Sequence, residues 1–174
     1  MTIHSTHPFA DPAPDPVRRL RGRLGGAVTL WTAGGTEPDW AGLTVASLMV
    51  AHGEPARVLA LVDPDSDLAE TVQRTGRAVV QLLSWPHRDL ADAFAGIAPA
   101  PGGLFRQASF GQTDWGPRLT EATSWADVSV ESATEVGWSL LLTCVVDEVT
   151  LGEDGQPLLH RRGRYSTHAE PPGK

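Results

Sequence analysis

Apolar residues along the chain recur mostly at two-residue spacing or in short unbroken runs, and only three segments carry helical spacing. Val17, Leu20 and Leu24 repeat among Arg18, Arg19, Arg21 and Arg23, so a short amphipathic helix is expected there, stopped by Gly25-Gly26. Asp67 and Glu70 form an acidic capping pair that opens a second helix, running to Thr75 with Gly76 as its stop. Leu90, Ala91 and Phe94 lie on one side of a third, over Arg88–Ala95.

The remaining pattern predicts strands at Ala27–Thr32, Gly42–Val50, Arg57–Val62, Arg77–Leu83, Ser124–Ser132, Ser139–Val149 and Leu158–Tyr165. Arg77–Leu83 is almost continuously apolar, as in a buried strand, whereas Ser124–Ser132 alternates cleanly. Between Gly96 and Arg118 the chain is rich in Gly, Pro and Gln, which reads as a long excursion with a functional or interfacial role. Several strands follow one another directly, and no regular strand–helix alternation is present. The fold class is therefore mainly β (α+β), an antiparallel barrel of six to seven strands with short flanking helices.

At 174 residues the chain suits one domain, expected over 16–168, with a disordered tail over 1–15 and a short C-terminal tail over 169–174. The balance of 14 basic against 21 acidic residues gives a net charge of −7, which argues against nucleic-acid or anionic-membrane partners. No apolar run reaches the roughly 18–20 residues of a membrane span, and Met1–Pro16 lacks the signature of a signal peptide. A soluble, cytoplasmic protein is expected.

Residues that could carry side-chain catalysis are few. The six His are scattered at 4, 7, 52, 87, 160 and 168, so no metal site is read. Neither Ser47 nor Ser84 sits in a nucleophile elbow, and Cys144, alone in an apolar run, reads as an inert hydrophobe. The informative pair is GLTVASL over 42–48 and DPDSDL over 63–68. The first is a strand of small hydroxyl and methyl side chains, which lets a flat ligand reach the backbone. The second leads a strand into a helix start, whose free N–H groups suit a phosphate.

With these segments in place, residues 17–168 resemble the flavin reductase family, built on the FMN-binding split barrel. The likeness runs in order through VRRLRGRLGGAVTLWTA, GLTVASLMV, LVDPDSDLAETVQRTGRAVVQLLS, WPHRDLADAFAG and LLHRRGRYSTH. It implies a homodimer that binds FMN, less often FAD, and reduces it with NAD(P)H, with reduced flavin passed to a flavin-dependent monooxygenase. By the same resemblance, Thr44, Ala46, Ser47 and Leu48 line the ring and ribityl chain. Ser66, with the backbone of Asp67 and Leu68, holds the phosphate, and Ser84 adds a contact to the phosphate tail. Arg164, Tyr165 and His168 approach from the barrel end or from the partner subunit, the last two on the nicotinamide side.

Departures from the family pattern sharpen the alternatives. Gly137-Trp138-Ser139 stands where NADH-using members carry Gly-Asp-His, and Trp138 is a candidate to close the nicotinamide seat. Gln81 replaces a family Asn, and Ala46 the first of two serines. Asp65 and Asp67 beside a phosphate call for a compensating arginine, with Arg57, Arg74 and Arg88 as candidates. Two alternatives stay open: a flavin-binding or interaction barrel without nicotinamide docking, and a split barrel using another cofactor, a deazaflavin or pyridoxal phosphate.

Overall fold

The computed structural model describes residues 15–167. The expected terminal tails, Asp15 apart, and His168 lie outside them. Asp15 is the cap of the first helix, its side chain accepting the amide of Val17 at 2.9 Å.

In chain order the elements are α1 (Pro16–Leu24), β1 (Gly26–Ala27), β2 (Thr29–Ala33), β3 (Ala41–Val45), β4 (Leu48–Ala51) and β5 (Arg57–Val62). There follow α2 (Asp67–Thr75), β6 (Arg77–Leu82), α3 (Arg88–Phe94), β7 (Phe110–Thr113) and β8 (Gly116–Leu119). The chain closes with β9 (Ser124–Val136), β10 (Ser139–Leu151), β11 (Leu159–Arg161) and β12 (Arg164–Ser166). Seven strands form one antiparallel sheet in the order β3–β2–β6–β9–β10–β5–β4, curled into a half-barrel. The expected mainly β class with three short helices is the one observed.

Side-chain alternation gives the curled sheet a buried inner face. Val58, Ala60 and Val62 of β5, and Leu140, Leu142 and Cys144 of β10, point into one core with Trp31, Val45 and Val128. Leu68 and Val72 of α2 cap this core, each fully buried and each contributing about 1.5–3 kcal/mol. A second cluster, with Val28, Leu30, Leu83, Phe94 and Leu119, packs under α3 and the β7–β8 hairpin. β2 is buried throughout because its alternate side chains serve both clusters.

Three expectations need correction. Gly42–Val50 is two strands, β3 and β4, on opposite edges of the sheet. The Gly96–Arg118 excursion contains the β7–β8 hairpin, which turns tightly because Gly116 (φ 143°) packs on the backbone of Thr32 and Ala33. Leu158–Tyr165 is also a hairpin, turned by Arg162 and Gly163 at φ 55° and 73°. The expected helix α1 is present and stops at Gly25, with Val17, Leu20 and Leu24 exposed to 72%, 60% and 76%.

Candidate functional site

The two halves of the GLTVASL segment end at different sheet edges, and Ala46-Ser47 spans between them. On one side the Val45 carbonyl accepts the Thr29 hydroxyl at 2.6 Å. On the other, the Ser47 carbonyl accepts the Leu61 amide at 2.9 Å, and Leu48 pairs with Ala60. Gly26 lies close against this stretch: a Cβ there would be 3.1 Å from the Ala46 carbonyl oxygen. Ala46, Ser47 and Leu48 are half-buried and border solvent. Thr44 is also half-buried, but its hydroxyl donates to the Ala91 carbonyl of α3 at 2.7 Å.

The amino end of α2 lies just beyond β5. Its cap is Ser66 rather than the acidic pair, because the hydroxyl oxygen accepts the Ala69 amide at 3.2 Å while donating to the Asp63 carbonyl at 2.7 Å. Leu68 is fully buried, so only its amide could serve a ligand. Asp63 turns its carboxylate onto the Asp65 amide at 2.9 Å. None of the three arginines proposed to offset this acidic turn is directed to it. Arg57 forms a two-pronged pair with Glu131 at 2.6 and 2.7 Å, which also holds the Glu131 carboxyl below its ordinary range. Arg74 binds Asp39 at 2.5 Å, and Arg88 lies over the Trp85 ring and 3.8 Å from Asp89.

The other sequence candidates occupy separate places. Ser84 exchanges hydrogen bonds with His87, whose Nδ1 lies 3.0 Å from its hydroxyl and 3.2 Å from its amide. Tyr165 packs against the second core cluster, its ring 5.5 Å from His160, and burial with the Asp92 carboxylate raises its hydroxyl pKa. Arg164 is exposed on β12. Trp138 stands at the tip of the β9–β10 hairpin, 95% exposed. Burial, with Asp147 nearby, pushes the Cys144 thiol up to about 12, which suits an inert core residue.

Two buried polar residues gain a role from the structure: Gln81, singled out in sequence only as a departure from the family pattern, and Asp127, which the sequence does not single out. Gln81 is fully buried, accepting the Leu119 amide at 2.6 Å and donating to the Thr32 hydroxyl at 3.0 Å. Thr32 in turn donates to the Pro117 carbonyl at 2.5 Å, so this network fastens the β7–β8 hairpin to the sheet. Asp127 is buried on β9 with no hydrogen-bond partner for Oδ1. Burial raises its pKa, against the opposing pull of Trp125 and Arg118. In sequence it is one polar position in an alternating strand, and nothing there signals that its carboxyl is buried.

Solved structures share this curled sheet. Flavin reductase PheA2 in its native state superposes with a TM-score of 0.78 at 23% identity, covering 88% of this chain and 97% of the other. The styrene monooxygenase flavin reductase SMOB from Pseudomonas putida S12 gives 0.78 at 24% identity, covering 90% and 99%. Among characterised proteins, the NADH-dependent FMN reductase AsuE2 of Streptomyces nodosus subsp. asukaensis is 28% identical over 184 residues, covering 97% of this chain and 92% of that protein. The family model described as "Flavin reductase like domain" matches residues 21–169, and the chain belongs to that family.

Proposed function

We propose that this protein is an NAD(P)H-dependent flavin reductase that binds FMN, less often FAD, at the Ala46–Leu48 crossing. The observation that carries the reading is the crossing itself: a shelf of small, half-buried residues between the two sheet edges, within the segment the family model spans. The NADH-dependent FMN reductase AsuE2, matched along nearly its whole length, supports the choice of cofactor and reductant.

Bound flavin supplies a hydride acceptor at N5 for the nicotinamide C4. The protein's part is placement. Ala46, Ser47 and Leu48 would present backbone groups to the ring edge, with Thr44 holding this strand against α3. The amides of Asp67 and Leu68, in the first turn of α2, would face the phosphate beside Ser66. Ser84 would turn its hydroxyl from His87 toward the phosphate tail, and Arg164 and Tyr165 would bound the site from the closing hairpin.

Exposed Met49, Val50, Leu61 and Trp138 support a homodimer joined along the β4–β5 side, to be checked by light scattering. Delivery of reduced flavin to a monooxygenase is in keeping with the name of SMOB. Anaerobic titration with NADH and then NADPH tests the central claim. Bleaching of the bound flavin's visible band is expected. A yellow protein that bleaches with neither would instead be a flavin carrier, the reading favoured by Trp138 at the altered Gly-Asp-His position.

A further inference from the structure

The charge of this chain is unevenly distributed. Arg18, Arg19, Arg21 and Arg23 lie on α1, and Arg161, Arg162 and Arg164 on the β11–β12 hairpin, together half of the 14 basic residues in a chain of net charge −7. No Asp or Glu occurs within α1 or between Gln156 and Ser166.

The fold joins these two elements into one face. Arg161 Nε donates to the Arg23 carbonyl at 3.0 Å, and the Arg162 amide to the Gly22 carbonyl at 2.8 Å. A Cβ on Gly25 would lie 3.2 Å from the Arg161 side chain, and the next residue, Gly26, pairs with His160. That same Gly26 faces the Ala46 carbonyl. The arginine face thus adjoins one flank of the crossing, while Asp63, Asp65, Asp67 and Glu70 occupy the other, at the start of α2.

We propose that the face formed by α1 and the β11–β12 hairpin holds the diphosphate of the dinucleotide reductant, leaving its nicotinamide over the crossing. The proposal rests on the reading of the crossing as a flavin site. Its physical basis is a local field: at physiological salt the Debye length is about 8 Å, so a diphosphate senses the adjacent arginines more strongly than the distant acidic surface. On that reading the free amides at the start of α2 are taken by the flavin phosphate, whose charge, added to the acids there, disfavours a pose with the diphosphate on that flank. The order of charges across the crossing therefore orients the dinucleotide.

The test uses ADP-ribose, which carries the diphosphate without the nicotinamide, titrated calorimetrically into the intact protein. Binding is expected to weaken as salt rises. The double variant Arg21→Glu/Arg23→Glu is expected to weaken it by about tenfold or more, because two cations near the diphosphate become anions. Arg106→Glu, half that charge change and made at the Glu37 ion pair off this face, is expected to stay within about twofold of wild type by the same screening argument. In steady state the double variant should raise KM for NADH and leave kcat and the affinity for FMN nearly unchanged. Binding of ADP-ribose that is insensitive to salt, or equal in the double variant and wild type, overturns the proposal. Flavin that bleaches with NADH at unchanged KM in the double variant overturns this placement alone, whereas flavin that never bleaches in wild type overturns the reductase reading.

Discussion

The hydroxyl of Thr44 donates to the main-chain carbonyl of Ala91 at 2.7 Å, fastening the strand that leads into the crossing to helix α3. Thr44→Val keeps the shape and removes the donor. It should cost about 1 kcal/mol in chemical denaturation, with FMN affinity changed by less than about threefold on the same argument that the hydroxyl serves the fold. A large loss of affinity at unchanged stability would place this hydroxyl on the ligand instead.

Gln81 connects β6 to both β2 and β8, using an acceptor and a donor in a fully buried position. Gln81→Leu strands the Leu119 amide and removes a partner from Thr32. A loss of about 2–4 kcal/mol is expected in urea melts, since buried groups left without partners carry their full desolvation cost. Loosening should concentrate in the β7–β8 hairpin, visible as faster amide exchange at Leu119.

Ser66→Glu tests the phosphate placement. Loss of the cap should cost the fold about 1 kcal/mol, while a carboxylate at the first turn of α2 should weaken FMN binding about a hundredfold or more by like-charge repulsion. Equilibrium dialysis showing wild-type affinity would move the phosphate elsewhere.

Asp127 gives the fold a pH dependence. Burial lifts its pKa above that of the unfolded chain, so between those two values the folded protein holds the extra proton. Its contribution to stability is full at pH below the unfolded value and is lost as pH rises through the folded one. Asp127→Asn should therefore stabilise the protein by about 1 kcal/mol at pH 7, with the gain shrinking toward pH ~4. Thermal melts at the two pH values provide the check, and equal gains at both would show that ionisation plays no part.

Much of the architecture was legible in residue pattern. Val58, Ala60 and Val62 alternate as a one-sided strand should, and Gly76 ends α2 in the left-handed conformation expected of a stop. The break at Ala46-Ser47 was hidden because a strand that changes sheet edge keeps β-forming residues on both sides of the joint; only the partners, Thr29 and Leu61, reveal it. The β7–β8 hairpin escaped notice because Gly, Pro and Gln obscure its short strands, and its anchor, Gln81, lies 38 residues away from Leu119. The small residues of the candidate site stood out in sequence. The arginines expected to offset its acids serve elsewhere, Arg57 with Glu131 and Arg74 with Asp39, partners too far off along the chain for the sequence to reveal.

The two-residue strap at Ala46-Ser47 ties the opposite margins of the curled sheet to each other. A molecule resting on that strap touches both margins at once, so its arrival should slow amide exchange in β2 and β5 together, although these strands do not pair. Ligand retention and resistance to opening of the half-barrel would then be one mechanical property, and enlarging Ala46 would impair both in step.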